Sequence, residues 1–220
     1  MPEYKEITIS GFELFPHSKS SNWCLAPGSF HVLDSKSPNS IIALTDYLAG
    51  SGNVRGLQME SDGVKLRSLP SAALLPPPGK EVFTGTSIGE QIDFHAGSRD
   101  GAQKLLTSLD RQFGFGFGAM ADRSVWELGA GERRCLLLVS QALASPGSWI
   151  MHNPLASLDG PRQRALAGFV VSFLAAGGVL VCASGRRTHP LFEHARLLVL
   201  GKTARELLYQ GSAWEAGGYD

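Results

Sequence analysis

The chain has 220 residues, 43% of them hydrophobic, which is enough to bury the core of one α/β domain. Twenty basic and twenty acidic residues cancel, so there is no global field of the kind that nucleic-acid or anionic-membrane binders use. Three cysteines (Cys24, Cys135 and Cys182) are scattered and odd in number; Cys135 and Cys182 lie in apolar runs and read as buried free thiols, which with a start lacking the apolar stretch of a secretion signal points to a cytoplasmic location.

Taken in chain order, Tyr4–Phe15 has strand character and runs into a polar loop, Pro16–Asn22. Ser29–Leu33 reads as a short strand, Asp34–Asn39 as a loop, and Ser40–Ala49 as a helix. Gly50–Gly56 is a turn, and Leu57–Leu69 carries the hairpin signal Ser61-Asp62-Gly63. Pro76-Pro77-Pro78 is a rigid break without backbone donors. Ser87–Glu127 is mixed and glycine-rich, with a helix predicted at Gly101–Arg111, and Gly114–Gly118 reads as a loop anchored by two aromatics. From Leu128 the order is helix, strand, helix, strand, then a further strand at Leu197–Leu200. Alternating helices and continuously apolar strands imply a parallel sheet covered on both faces.

Ala165–Gly185 contains no charged residue, which is long enough to raise the question of a membrane span. The Gly177-Gly178 pair splits it into a helix, Arg162–Ala176, and a β-branched strand, Val179–Ala183, as an α/β unit requires.

The most specific signal is Leu128–Asp159, L-G-A-G-E-R-R-C-L-L-L-V-S-Q-A-L-A-S-P-G-S-W-I-M-H-N-P-L-A-S-L-D. It resembles the stretch of an ATP-binding-cassette (ABC) ATPase from the signature loop, L-S-G-G-Q, through a helix and a buried strand ending D-E-P-T, to the D-loop, S-x-L-D. Ser61–Pro70 is similar to the family's D-G-x-x-[IL]-x-x-[IL] stretch, Val82-Phe83-Thr84-Gly85-Thr86 to its L-F-S-G-T, and Glu90-Gln91-Ile92 to its E-N-I. Several weak matches in family order are hard to produce by chance. The resemblance is closest to exporter-type cassettes. It implies one P-loop NTPase-like α/β domain over residues 1–220: a three-layer core with an N-terminal antiparallel β lobe and a reduced helical lobe. The β lobe and degenerate phosphate loop would cover about 1–86, the helical lobe about 87–133, and the core about 134–220.

The same resemblance shows what is replaced. A phosphate loop needs glycines to converge backbone N–H groups, a Lys for the phosphates and a Ser/Thr for Mg²⁺. Anchored on Leu48-Ala49-Gly50, that loop falls on Ser35–Ala43, which has no glycine and has Ile41 and Ile42 where Lys and Ser would stand. Pro38 deletes a donor, and the only nearby charge is Lys36, more simply a solvated loop lysine. The glutamine of the Q-loop falls near Pro78, the metal-binding Asp and catalytic Glu on His152 and Asn153, and the histidine after the next strand on Gly185. Phe15 stands near the aromatic that stacks on adenine, though a core phenylalanine is the plainer account. Neither a metal ligand nor a general base is in place, so the resemblance implies a pseudo-ATPase with no catalytic residues and no cofactor.

The six histidines, His17, His31, His95, His152, His189 and His194, show no paired ligand spacing, so no metal site is expected. His152, at a strand end, is expected to be a hydrogen-bonded core histidine. Arg186 and Arg187 next to Gly185 read as surface charges. No G-x-S-x-G or G-x-G-x-x-G falls in a strand-to-helix context.

What the chain keeps is the part that faces partners in the family, with Gly129, Ala130 and Glu132 replacing the signature serine, first glycine and glutamine. Leu128, Gly129, Ala130, Gly131 and Glu132 of the signature loop, with Ser157 and Asp159 of the D-loop, are the expected partner-facing set; the equal alternative is that Leu128–Asp159 is kept only because the fold requires it. Bulky residues at Gly131 or Asp159 are accordingly expected to weaken association and leave folding unchanged. Three functions stay open. The first is an inactive subunit of an ABC transporter assembly. It would pair with an ATP-competent cassette, a transmembrane permease subunit or a second copy of itself, and reach the inner face of the membrane only through a partner. The second is a non-transport adaptor, and the third a weak, atypical nucleotide binder.

Overall fold

The computed structural model describes residues 5–10, 22–35, 38–54, 56–97, 101–184, 190–192, 195–200, 205–210 and 213–215. In chain order the elements are β1 (Ile7–Ser10), β2 (Trp23–Leu25), β3 (Phe30–Ser35), α1 (Pro38–Ala49), β4 (Gln58–Ser61), β5 (Val64–Leu66) and β6 (Ala72–Leu75). There follow α2 (Ile88–Ala96), α3 (Ala102–Phe113), α4 (Ala130–Leu143), β7 (Ser148–His152), α5 (Gly160–Ala175), β8 (Val179–Ala183), β9 (Arg196–Leu200), β10 (Arg205–Gln210) and β11 (Ala213–Glu215). Two compact units divide them: Met1–Leu74, Gly147–Asn153 and Val170–Asp220 in the first, and Leu75–Pro146 and Pro154–Phe169 in the second.

The first unit is built on two sheets. A small antiparallel sheet has the order β2-β1-β4-β5, and a large one the order β11-β10-β9-β3-β8-β7-β6. In the large sheet β9, β3, β8 and β7 run parallel, and β10 and β11 add antiparallel strands beyond β9. The β7 and β8 strands lie side by side in register from Ser148↔Val179 to His152↔Ala183, and both are buried along their whole length. Continuous apolar runs form such strands because both faces are covered.

One face meets a core of Ile7, Ile9, Leu25 and Met59 from the small sheet, Leu44 and Leu48 from α1, and Leu33, Ile150, Val179 and Val181 from the large sheet. On the large sheet Trp149 packs edge-on against Phe173 of α5, and Phe30 against Phe192. The Asp62-Gly63 turn between β4 and β5 has φ of 51° and 74°, the left-handed pair that a two-residue hairpin requires.

Sequence reading placed the strands ending at His152 and Ala183, the intervening helix and the Asp62-Gly63 hairpin where they occur. It differs at α1, which begins at Pro38 and not Ser40: proline in the first turn needs no N–H and already has helical φ. Short β6 and helix α2 were not expected at all.

The second unit is helical. Leu106, Leu109 and Phe113 of α3, and Ile88 and Ile92 of α2, are buried, as is most of α4 from Arg134 onward. Buried Gln91 bonds through both ends of its amide: the NH₂ donates to Ser140 Oγ at 3.2 Å, and the carbonyl accepts from Thr84 N and Thr84 Oγ1 at 2.8 and 3.0 Å. Arg134 is completely buried, donates to the Pro76 carbonyl and pairs with Glu81 at 3.6 Å, whose side chain is only 12% exposed. Glu81→Leu would remove the Glu81 carboxylate from that buried guanidinium. It should cost on the order of 3–5 kcal/mol in chemical denaturation. A loss under about 1 kcal/mol would show that the pair does not hold the unit together.

Candidate functional site

In the first unit, β3 ends at Ser35 and α1 starts at Pro38, so Pro38, Asn39 and Ser40 already belong to the first turn of a helix. A helix N-terminus can attract an anion through its free N–H groups, but Pro38 has no N–H to give. Ile41 packs against the apolar core, while Ile42 is 41% exposed. Neither replaces what a Lys and a Ser would supply.

At the end of β7, His152 is 5% exposed and its Nε2 lies 2.8 Å from Oγ1 of Thr45, which is fully buried on α1. His152 is therefore a hydrogen-bonded core histidine, as its place at a strand end suggested. Thr45 is the partner that sequence reading missed. Its signal was a lone polar residue on the buried face of an otherwise apolar helix. Asn153 follows in left-handed backbone, φ 43°, with an exposed side chain; its N–H donates to the Ala183 carbonyl at 2.6 Å and ties the two strand ends together. Phe15, Lys36, Gly185, Arg186, Arg187, His17, His189 and His194 lie outside the described residues.

In the second unit, Pro78 is exposed in a turn closed by Lys80 N–H on the Pro77 carbonyl at 3.0 Å. The family-like stretch around residues 82–92 is a helix start: Glu90 accepts from Thr86 N, Thr86 Oγ1 and Ser87 N, at 2.7, 2.8 and 3.2 Å. The bonds from Thr86 and Ser87 hold the Glu90 carboxyl below its ordinary range. Ser87 and Glu90 form a capping box, and this Ser-x-x-Glu spacing was the unread signal for α2. At the end of α2, burial disfavours the charged form of His95 and pushes its pKa below the ordinary histidine range.

The signature-like and D-loop-like segments come together in this unit. A Cβ built on Gly131 would run into the Ser157 carbonyl oxygen. Glu132 folds back on its own helix, accepting from Gly129 N at 2.7 Å, so its charge is spent on the start of α4. Asp159 caps α5: its Oδ1 accepts from Arg162 N at 3.0 Å and its Oδ2 pairs with the Arg162 guanidinium, which also lies 3.9 Å over the Phe115 ring. Ser157 is exposed in left-handed backbone, φ 64°. On α4, burial raises the Cys135 thiol to about 12, which keeps it protonated and unreactive.

Two expectations are corrected. Leu128 is 3% exposed and belongs to the core, because an isobutyl group at the head of a buried helix packs inward; it does not face a partner. Gly131 and Asp159 are not neutral positions for bulky residues, since one allows two backbones to touch and the other caps a helix. Gly129, Ala130, Ser157 and Asp159 form the exposed part of the set.

No family model matches the sequence. The chain is 29% identical over 121 residues to the cytochrome c biogenesis ATP-binding export protein CcmA of Nitrobacter winogradskyi, a match covering 55% of this chain. It spans about half of that relative, 52% of its length. Among solved structures it is similar to an ATP-binding subunit of an ABC transporter, with a TM-score of 0.74 at 15% identity over 96% of this chain and 90% of that one. The ADP conformation of MJ1267, an ATP-binding cassette of an ABC transporter, gives 0.65 at 10% identity over 92% and 90%. An ATP-bound bacterial Atm1-family ABC exporter gives 0.66 at 15% identity over 93% of this chain and 40% of that one. The chain has the fold of an ABC nucleotide-binding domain: P-loop NTPase-like, with an antiparallel β lobe beside a mainly parallel core sheet. Among the described residues no helix is long and apolar enough to cross a membrane.

The close approach at Gly131 sets a measurable contrast. Gly131→Ala should cost about 1–3 kcal/mol by overpacking, read from the denaturation midpoint. The exposed neighbour variant Ala130→Trp should stay within about 0.5 kcal/mol of the unaltered protein. Equal midpoints for all three proteins would show that the two loops part without cost.

Proposed function

We propose that this chain is an ABC-cassette-like subunit that neither hydrolyses nor tightly binds ATP and acts as a structural or regulatory member of an ABC transporter assembly. Its partner is an ATP-competent cassette, a transmembrane permease subunit or a second copy of the chain. The carrying observation is the helical start of α1 at Pro38, with Ile41 turned into the core and His152 bonded to Thr45. Phosphate nest, lysine and metal carboxylate are all replaced, and each replacement has a structural use. The exposed loops at Gly129, Ala130, Ser157 and Asp159 remain as the surface for association. A specific interface needs on the order of 1,000 Å², so neighbouring surface of the same unit has to contribute.

A second reading, weak nucleotide binding, is favoured by one observation: the CcmA relative is named an ATP-binding export protein. One titration separates the two. Ligand at 100 times its Kd adds about 2.7 kcal/mol of stability, so millimolar Mg-ATP should leave the melting temperature unmoved and no phosphate should be released. Ile41→Lys alone should restore neither property, because the N–H nest and the metal ligands stay absent. A saturable shift in the unaltered protein would favour the nucleotide-binding reading.

Association is tested separately by affinity capture from the native host, comparing unaltered protein with Ala130→Trp, which leaves the fold intact. Loss of a cassette or permease partner in the variant is the expected result. Equal recovery of the same partner by both would move the interface elsewhere and favour an adaptor that uses another surface.

A further inference from the structure

Thr45 and His152 are both buried and lie 107 residues apart in sequence, one on the helix after the replaced phosphate loop and one at the end of β7. Thr45 Oγ1 lies 2.9 Å from the carbonyls of Ile41 and Ile42, which only accept, and gives its single proton to the backbone in the common helix arrangement. Nε2 of His152 is 2.8 Å from the same oxygen and donates to it in the tautomer that carries the proton on Nε2. This chain runs from strand to helix through side chains that the solvent does not reach, where such a bond has no competitor in water.

We infer that His152 is a positioning residue and that, with Thr45, it forms a built-in latch which holds α1 against the end of β7 without any ligand. The latch rests on the proposed reading that no nucleotide serves this site, and it explains what took the ligand's place. A strand-end carboxylate at position 152 has no proton to give and could not donate to Thr45 Oγ1; an imidazole Nε2–H can. Asn153 extends the same edge, since its N–H holds the end of β8 through the Ala183 carbonyl at 2.6 Å. The middle of α1, the β7 end and the β8 end are thus set before any partner arrives.

Hydrogen exchange on the full chain tests it, in the absence of nucleotide. Thr45→Val and His152→Leu should each speed exchange of the α1 amides by roughly five- to tenfold, the worth of one buried hydrogen bond. The double variant should be no faster than the worse single one. His152→Gln, whose amide reaches the Nε2 position, should restore protection, while the shorter His152→Asn should not. Amides of α3 serve as the control for global opening. Unchanged α1 exchange, acceleration equal in α1 and α3, or no rescue by glutamine would each overturn the latch. So would nitrogen NMR showing His152 Nε2 without a proton. Saturable Mg-ATP binding by the unaltered protein would instead overturn the proposed function, and the exchange result would stand apart from it.

Discussion

Everything in the first unit depends on the pairing of β7 with β8 in the middle of the large sheet. Both strands are buried residue by residue, with β3 on the far side of β8, so their register cannot slip without pushing apolar side chains into water. That pairing fixes where His152, Asn153 and Ala183 end up. The stabilising term is burial of Trp149, Ile150, Met151, Leu180, Val181 and Cys182.

The residues at the motif-like positions of the first unit are built into ordinary structure. Ile41 adds to the core, Pro38 begins a helix where its lack of an N–H is harmless, and His152 satisfies Thr45. In the second unit the charged residues of the motif-like segments behave the same way. Glu90, Glu132 and Asp159 each accept a bond from the backbone at the start of a helix, where partial positive charge favours a carboxylate. A family motif can therefore persist in sequence because its residues begin helices well, quite apart from any nucleotide. Gly131 is the position where geometry and motif coincide most tightly, since only a residue without Cβ lets α4 approach the Ser157 carbonyl.

Much of this was legible in the chain itself. Continuous apolar runs gave β7 and β8, the Gly177-Gly178 pair separated α5 from β8, and Asp62-Gly63 gave a hairpin. What was misread had local causes. Helix α2 was hidden by a glycine-rich neighbourhood although Ser87 and Glu90 announced its start. Strand β6 has an unremarkable Ala-Ala-Leu-Leu sequence and owes its state to the sheet edge it joins.

By itself, the sequence determined the α/β alternation and the strands at the centre of the sheet, because each depends on residue type and short-range spacing. Only the tertiary structure decided what the substituted residues do. That Thr45 meets His152, that Arg134 sits buried against Pro76 and Glu81, and that Gly131 lies under Ser157 are contacts between segments distant in the chain. Such contacts depend on how strands and helices pack in space, which no local pattern of residues encodes.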